Sequence, residues 1–305
     1  MVTAQLIGLA LMAQYFVTVI TTSATYSRGE ELEWVLSGYF NEIRPQQELR
    51  EPHASCSATS FNTSCDRELS DGERRELNDA VEQRGADVFI RPLEALQHQP
   101  KLFVFDMDST IIQAEVIDRL AAHAGAGAEV SAITESAMRG EIDFRTSLRK
   151  RVALLEGLRE EVFAELEQGI ELGIGLEALM QGLAEHGCRT AVISGGFGVI
   201  GRRLQQRLGF DYVFTNELEV TAGALTGQLS AEIIDGQRKA ELLNEVAGRE
   251  GIPTSQVVAV GDGANDLLML AQAGIGVAYH AKPIVRAAAK YRLTHAGLDG
   301  LLYLL

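Results

Sequence analysis

Three short apolar runs, each ending in a polar side chain, constrain the fold of this chain more than any other feature. The runs are LFVFD at residues 102–106, RTAVIS at 189–194 and VVAVGD at 257–262. Because each run is too short for a buried helix and together they are rich in Val, Ile and Phe, they predict buried parallel strands. Segments with helical periodicity lie between or beside them, at residues 176–187, 197–208 and 236–250. This alternation predicts βαβ units and a doubly wound parallel sheet of the α/β class.

One stretch interrupts the alternation. Residues 115–175 have a largely helical pattern and separate the first predicted strand from its expected partner. We therefore expect a small helical cap inserted into a domain that runs from residue 99 to 305. Residues 217–234, ELEVTAGALTGQLSAEII, alternate apolar and polar side chains around Gly223 and Gly227, which favours a hairpin.

The region before residue 99 has a different composition and carries no motif that we can assign. Residues 44–84 contain two prolines, two short Ser/Thr-rich stretches and the charged run DGERRELNDAVEQR. This composition predicts a loop followed by a solvated helix. We expect residues 1–98 to form an extra N-terminal region, accessory or regulatory, whose fold the sequence leaves open.

The N-terminus itself allows two interpretations. No Lys, Arg, Asp or Glu occurs from Met1 to Ser27, and this stretch contains the apolar runs LIGLALMA and YFVTVI, so a membrane segment or a signal peptide is one of them. Interspersed Gln and Thr residues and the lack of a basic region before the apolar run argue against it. We expect instead a strand and a helix of a small N-terminal domain, without membrane contact.

The composition excludes several classes of protein. A net charge of -15 argues against sequence-independent binding to nucleic acid, which needs a basic surface to neutralise phosphates. The three cysteines, Cys56, Cys65 and Cys188, form neither a disulfide framework nor a zinc pattern in a chain of 305 residues. We expect reduced thiols and a cytoplasmic protein, with a Cys56–Cys65 pair as the alternative.

The polar residues that end the three predicted strands are Asp106, Ser194 and Asp262. Because parallel α/β sheets bind ligands beyond the carboxyl ends of their strands, these side chains should converge. Asp108 lies two residues after Asp106, so an extended chain directs both carboxylates to one side. Together with Asp262 and Asp266 they would repel one another without a hard cation, and Mg²⁺ favours such oxygen ligands. The sequence therefore predicts a magnesium site.

Each motif also has an ordinary structural interpretation. A DxD pair alone is common, and SGGF at residues 194–197 is either a phosphate-binding turn before a helix or a plain tight turn. Lys239, near the start of a predicted helix, would by itself be a solvated lysine. The segment GDGANDLLML is more informative, because two carboxylates, two glycines and an Asn crowd the exit of a buried strand.

The motifs DMDST, SGGF, a lysine and GDGAND occur in this order, and together they resemble the four motifs of the haloacid dehalogenase (HAD) superfamily of phosphatases. The sequence between and around them is similar to that of the phosphoserine phosphatase family. The similar segments are AEVIDRLA, ITESAMRGEIDFRTSLRKRVALL, and AVGDGANDLLML through GVAYHAKP. The resemblance covers residues 101–300. It implies a Rossmann-like core with a helical cap, Mg²⁺ as cofactor, and hydrolysis of O-phospho-L-serine, the last step of serine biosynthesis.

The resemblance also implies roles for individual residues. Asp106 would be the nucleophile that forms an aspartyl-phosphate, and Asp108 the general acid and then the general base. Mg²⁺ would be held by Asp106, the backbone carbonyl of Asp108 and Asp262, with Asp266 as a ligand or an outer support. The groups expected to contact the phosphoryl oxygens or the substrate are the Ser194 hydroxyl, the Gly195 N–H, the Lys239 ammonium and Asn265.

Substrate recognition is expected in the cap. By the same resemblance Glu115 would bind the substrate ammonium and Arg151 its carboxylate, in a bidentate pair. Met138 and Phe144 resemble residues that shield the pocket from water. Two ordinary interpretations remain open: Arg151 belongs to a basic run that is often solvated, and Glu115 is an acid in the first turn of a helix.

Residues 167–176, EQGIELGIGL, depart from the family, whose members usually have a Pro-Gly helix start here. This departure affects the hinge between the cap and the core.

Alternative functions are a HAD phosphatase or phosphotransferase acting on another small phosphomonoester, and a catalytically silent amino-acid sensor. A membrane-anchored phosphatase is a further alternative. Homodimer formation is a possibility that the sequence leaves open.

Overall fold

The structure is a computed structural model that describes residues 12–22, 29–49 and 51–305. The N-terminal unit has the element order βαββαβ. Its elements are β1 (Ala13–Thr21), α1 (Gly29–Ser37), β2 (Glu42–Leu49), β3 (Ser57–Cys65), α2 (Asp71–Glu82) and β4 (Ala86–Pro92). The strands pair antiparallel in the order β2-β3-β1-β4. This is the split βαβ, or ferredoxin-like, arrangement.

The expectation of a loop before the charged helix was wrong, because β2 and β3 occupy that region. The β3 sequence SATSFNTSC is rich in Ser and Thr, but Thr is β-branched and fits a pleated strand. Phe61 supplies a large buried side chain in the same strand. Because many of its residues are small and polar, β3 was not recognised as a strand from the sequence, although its neighbours cover most of it.

Helix α2 is also less solvated than expected. Ser70 caps its first turn by accepting a hydrogen bond from the Glu73 N–H, and the Glu73 carboxylate accepts one from the Ser70 N–H. Leu77 and Val81 face inward and are fully buried. The charged run is thus one face of an amphipathic helix.

The apolar N-terminus contributes β1, whose residues are mostly buried, and α1 follows it. The strand agrees with the expectation, whereas α1 begins after the apolar stretch, and residues 1–11 and 23–27 of that stretch lie outside the described residues. Within the described ranges, the structure has no helix that is both long and apolar enough to cross a membrane.

The rest of the chain builds a six-stranded parallel sheet, in the order β12-β11-β10-β5-β6-β7. Its strands are β5 (Leu102–Phe105), β6 (Arg189–Phe197), β7 (Tyr212–Asn216), β10 (Val257–Gly261), β11 (Ile275–Tyr279) and β12 (Tyr291–Leu293). Alternate side chains along β5 enter opposite cores: Phe103 and Phe105 lie on one face, Leu102 and Val104 on the other. Both faces are therefore covered by apolar packing, which confirms the doubly wound α/β core.

The remaining helices separate into two groups. Four lie within the inserted residues 115–175: α3 (Val116–His123), α4 (Gly127–Met138), α5 (Phe144–Ala153) and α6 (Val162–Gly169). The others are α7 (Leu176–Glu185), α8 (Gly198–Leu208), α9 (Gly236–Glu250), α10 (Leu267–Gln272) and α11 (Pro283–Ala288). The predicted hairpin consists of β8 (Leu218–Thr221) and β9 (Ala224–Leu229). Gly223 lies in its turn, but Gly227 is inside β9, where it adopts a positive φ of 77°.

The two connections of the inserted helices to the core run side by side. The Gln113 N–H donates to the Glu171 carbonyl at 2.9 Å, and the Gly173 N–H donates to the Ile111 carbonyl at 2.8 Å. A Cβ at residue 173 would lie 2.7 Å from the Thr110 carbonyl oxygen, so this approach requires glycine. Residues 167–176, which depart from the family pattern, therefore pair with the segment that follows β5.

The N-terminal unit packs directly on the C-terminal part of the chain. Ile20, Ala58 and Phe89 project from the sheet face opposite α1 and α2 and join the core around the six-stranded sheet. Phe89 meets Tyr291 with ring centroids 6.2 Å apart.

The three cysteines are free, so the alternative Cys56–Cys65 pair was wrong. Cys56 is buried, and this burial raises the pKa of its thiol to about 12. The thiol is therefore protonated and unreactive near neutral pH.

Candidate active site

The predicted convergence of the strand ends is present in the structure. β10 and β6 flank β5 in parallel register, so Asp106, Ser194 and Asp262 reach the same edge of the sheet. All three side chains are buried. The site is therefore built on the rigid centre of the sheet.

A cluster of carboxylates lies at this edge. Oxygen atoms of Asp106, Asp262 and Asp266 are all within 4.8 Å of one another. Asp266 is held by the Gly263 N–H, which donates to its Oδ2 at 2.9 Å. A Cβ on Gly261 would lie 2.6 Å from the same oxygen, so the strand ends in glycine to let this carboxylate approach.

Lys239 is the cation of this cluster. Its side chain is 0% exposed, and its Nζ donates to Asp106 Oδ1 and to Asp266 Oδ1, each at 2.6 Å. Burial lowers the pKa of Lys239, but the two carboxylates more than offset this and raise it, so the ammonium stays protonated. The ordinary interpretation of a solvated lysine was therefore wrong, because the first turns of α9 face the sheet.

The single positive charge of Lys239 does not balance the three carboxylates of the cluster. Burial, and next the charge of Asp106, raise the pKa of Asp266 to about 7, with Lys239 opposing the rise. Burial and then Asp106 also raise the pKa of Asp262. Carboxylates that resist ionisation in this way would be stabilised by a further cation, and an all-oxygen donor set of this size fits a hard divalent ion.

Asp108 lies beside the cluster, next to the glycine turn, by which we mean residues 194–197 at the irregular end of β6. Its Oδ2 accepts a hydrogen bond from the Val116 N–H at 3.2 Å, whereas its Oδ1 is buried and has no hydrogen-bond partner among the described residues. A Cβ on Gly196 would lie 3.1 Å from Oδ1, so the turn closes directly over the carboxyl group. Burial, then Glu115 and Asp106, raise the pKa of Asp108 well above its ordinary value. The side chain is thus suited to carry a proton.

The SGGF motif forms the last four residues of β6, directly before α8. The Gly196 N–H donates to Ser194 Oγ at 2.9 Å, which fixes the hydroxyl. The Asn216 side chain donates from Nδ2 to the Gly195 carbonyl at 2.8 Å and thereby orients the next peptide. These hydrogen bonds therefore fix the conformation of the motif at the edge of the sheet that carries the acidic cluster.

Two predicted recognition residues project from the inserted helices. Ser109, at a positive φ of 59°, donates from Oγ to Glu115 Oε1 at 2.9 Å, and burial raises the pKa of Glu115. Arg149 and Lys150 are exposed, but Arg151 is half-buried, and in the part of the chain that the structure describes its Nε has no hydrogen-bond partner. Burial lowers the pKa of Arg151, while Glu115 and other carboxylates oppose this. The guanidinium therefore lies within electrostatic range of Glu115 and Asp108.

The last three predicted residues differ in placement. A Cβ on Gly195 would lie 3.0 Å from the Phe144 ring, so Phe144 covers the glycine turn. Asn265 is half-buried, next to the start of α9. Met138 ends α4 and is 74% exposed, so in this conformation most of its side chain faces solvent.

Three neighbouring residues were missed from the sequence. Thr110 donates from Oγ1 to Asp262 Oδ1 at 3.2 Å, Ser109 holds Glu115, and Lys282 places its Nζ 3.5 Å from Asp262 Oδ2. Ser109 and Thr110 follow the first aspartates within the motif DMDST, which was their available signal. Lys282 comes from a loop far along the chain, within the stretch GVAYHAKP that resembles the family, but no role was assigned to it there.

Residues 103–271 match the model of the family described as haloacid dehalogenase-like hydrolase. The chain belongs to this family. The motif order in the sequence and the cluster at the strand ends agree with that membership.

Two curated relatives are phosphoserine phosphatases. The chain is 46% identical to the one from Archaeoglobus fulgidus over 75% of its own length and 66% of that protein. It is 47% identical to the one from Idiomarina loihiensis over 67% of its own length and 92% of that protein. The chain thus spans less than two thirds of the first relative and nearly all of the second.

Two solved structures match almost the whole chain. A HAD family hydrolase from Salmonella enterica serovar Typhi superposes with a TM-score of 0.86 at 31% identity, covering 95% of this chain and 98% of the other. A probable phosphoserine phosphatase from Vibrio cholerae superposes with a TM-score of 0.78 at 35% identity, covering 96% and 86%. The N-terminal unit and the core therefore occur together in related structures.

Proposed function

We propose that the chain is a magnesium-dependent phosphoserine phosphatase, which hydrolyses O-phospho-L-serine to L-serine and phosphate and completes serine biosynthesis. One observation carries the substrate assignment: the half-buried Arg151, with its unpartnered Nε, lies near Glu115 beside the acidic cluster. An anionic group and a cationic group on one small substrate would complement this pair. The names of the curated relatives support the same substrate.

The first step would use Asp106 as nucleophile. Lys239 binds Oδ1 of Asp106 and leaves Oδ2 to attack phosphorus, forming an aspartyl-phosphate as the bond to the serine oxygen breaks. Asp108, whose raised pKa favours the protonated form, would donate its proton to the departing oxygen. Water would then attack the aspartyl-phosphate, with the ionised Asp108 taking its proton, and would release phosphate.

Asp106, Asp262 and the backbone carbonyl of Asp108 would hold Mg²⁺, with Asp266 as a ligand or an outer support. When bound, the ion would neutralise charge on the phosphoryl oxygens. The Ser194 hydroxyl, the Gly195 N–H and the Lys239 ammonium would donate hydrogen bonds to the same oxygens, and Asn265 would contact the phosphate or the substrate. These fixed donors stabilise the charge that develops during transfer.

The inserted helices would recognise the amino-acid part of the substrate. Glu115 would accept hydrogen bonds from the ammonium and Arg151 would donate to the carboxylate. Phe144 already covers the glycine turn and would exclude water from it. Met138 would contribute in the same way only after the cap moves, since it is exposed here.

The proposal includes the wider organisation of the protein. Residues 99–305 would form the phosphatase domain, with its cap at about 115–175, and residues 1–98 an accessory domain. The Idiomarina relative supports this division, because 67% of this chain matches 92% of that phosphatase. We also propose a cytoplasmic location and a homodimer.

The experiment is magnesium-dependent phosphate release from L-phosphoserine, phosphothreonine and an aryl phosphate, with Asp106→Asn as control. We expect strong preference for phosphoserine, and loss of release both in the variant and in chelator. Release from the aryl phosphate alone would retain the aspartyl-phosphate chemistry and reject the substrate. No release from any of the three would favour the amino-acid sensor.

A further inference from the structure

Glu82, the last residue of α2, is an N-terminal residue bound almost entirely by the C-terminal part of the chain. Its side chain is 8% exposed, and its carboxylate pairs with the Arg286 guanidinium. Thr294 donates from Oγ1 to Glu82 Oε1 at 3.1 Å, and Arg292 Nη1 lies 3.8 Å from Oε2. The backbone carbonyl of Glu82 is also 2.8 Å from His295 Nε2. One buried carboxylate thus ties the N-terminal unit to two segments of the core.

Arg286 transmits this contact to the start of α11. The helix has only six residues, and the Arg286 N–H donates to the Lys282 carbonyl at 3.1 Å. Arg286 and Lys282 are therefore parts of one hydrogen-bonded turn. Pro283, which opens the helix, fixes the backbone between them.

Lys282 in turn contacts both the backbone and the side chain of Asp262. Its N–H donates to the Asp262 carbonyl at 3.0 Å, and its Nζ lies 3.5 Å from Oδ2. The other carboxylate oxygen, Oδ1, is held by Thr110. The orientation of this member of the acidic cluster therefore depends on where α11 lies.

We infer that Glu82 is a positioning residue for the acidic cluster, through which the N-terminal unit fixes Asp262 by way of Arg286, α11 and Lys282. The inference rests on the proposed function in one respect, that Asp262 binds the divalent cation. The N-terminal unit would thereby influence the active site, although Glu82 lies 180 residues before Asp262 in the sequence.

The surroundings of the ion pair explain why its loss would move the helix. A cavity of about 380 Å³ adjoins the pair, lined by Asp79, Glu82, Gln83, Arg286, Thr294 and His295. Without the charge of Glu82, the Arg286 side chain has open space to enter instead of packed protein that would hold it. Val285 is the only buried residue of this six-residue helix and anchors it in the core, so the rest of the helix can shift and the change should reach Lys282.

The test uses the full chain and measures Mg²⁺ binding by calorimetry, without substrate. Partners that orient a metal ligand typically change metal affinity by roughly 10- to 100-fold when mutated. Because Glu82 acts through two further residues, we expect Glu82→Gln and Arg286→Met each to raise the Kd for Mg²⁺ by at least about 3-fold. The double variant should be no weaker than either single one, since both break the same contact.

Matched variants separate positioning from general stability. Arg67→Met breaks an exposed ion pair with Glu73 inside the N-terminal unit and should leave Mg²⁺ binding unchanged. Arg286→Lys keeps the pair with Glu82 and should restore affinity to near the wild-type value. At saturating Mg²⁺ the KM of Glu82→Gln for phosphoserine should equal that of the wild type.

Two outcomes would overturn the inference. One is a lower melting temperature of Glu82→Gln and Arg286→Met with unchanged Kd for Mg²⁺, because the contact would then be purely structural. The other is a wild-type protein that binds no Mg²⁺, which would reject the metal site together with the relay. Mg²⁺ binding without phosphoserine hydrolysis would reject only the proposed substrate and leave the calorimetric comparison decisive.

Discussion

Replacing Arg151 by Met should remove recognition of the substrate carboxylate and little else. The guanidinium is half-buried, its Nε has no partner, and burial lowers the pKa of Arg151. A carboxylate bound there would supply the missing ion pair. Loss of one partner of a desolvated charge pair costs about 2–5 kcal/mol, or about 30-fold to several thousand-fold in affinity. Because nearby carboxylates already stabilise the cation, we expect the lower part of this range, about 30- to 300-fold.

The assay compares phosphoserine with phosphoethanolamine, which has the same phosphate and ammonium but no carboxylate. Arg151→Met should lower kcat/KM for phosphoserine by the factor above, mainly through KM, and change that for phosphoethanolamine by less than about 3-fold. Arg149→Met is the control, since Arg149 is exposed on the same helix. Equal losses for both substrates would refute the assignment, because the residue would then act without contacting the carboxylate.

Three further changes test the rest of the site. Lys239→Met should destabilise the protein in chelator by about 3–5 kcal/mol, because two buried carboxylates lose their shared cation; a urea midpoint equal to that of the wild type would contradict this. Asp108→Asn should slow formation of the aspartyl-phosphate from phosphoserine by about 10²- to 10⁴-fold in single-turnover experiments, but slow this step much less with p-nitrophenyl phosphate, since that leaving group departs without a proton. Equal losses in this first step for the two substrates would count against proton donation. Arg145 Nε contacts Asp235 Oδ2 at 2.5 Å and so joins α5 to the N-cap of α9. Because this pair is partly exposed, Arg145→Gln should lower kcat/KM by about 2- to 5-fold, and adding Asp235→Asn should cause no further loss; additive losses would indicate that the two residues act separately.

The sequence predicted the parts of the site that depend on strands. Asp106, Ser194 and Asp262 follow three apolar runs, and the rule that parallel strands end at one edge brings them together without any knowledge of the loops. Their burial follows from the same geometry. For these residues local pattern and global fold agree, and this agreement made the prediction possible.

Other features depended on contacts that no local pattern encodes. The family resemblance named Lys239, but its own sequence surroundings are those of a solvated helical lysine, and the packing of α9 against the sheet turns it toward the carboxylates. Strand β3 was hidden by its Ser and Thr content, because its burial is supplied by β1 and β2. Lys282 reaches Asp262 from beyond β11. Each of these outcomes required the tertiary arrangement of segments distant in sequence.

The balance of charge at the site indicates the order in which its ligands would bind. Besides Asp108, which is suited to carry a proton, four carboxylates, those of Asp106, Asp262, Asp266 and Glu115, face three cations, Lys239, Arg151 and Lys282. A phosphate dianion approaching this excess of negative charge, on a chain whose net charge is already -15, would be repelled. A divalent cation among the carboxylates reverses the local sign and at the same time relieves the raised pKa of Asp262 and Asp266. The residues of the site therefore favour binding of the cation before the phosphate, and the contacts that orient Asp262 matter because they prepare the first of these two events.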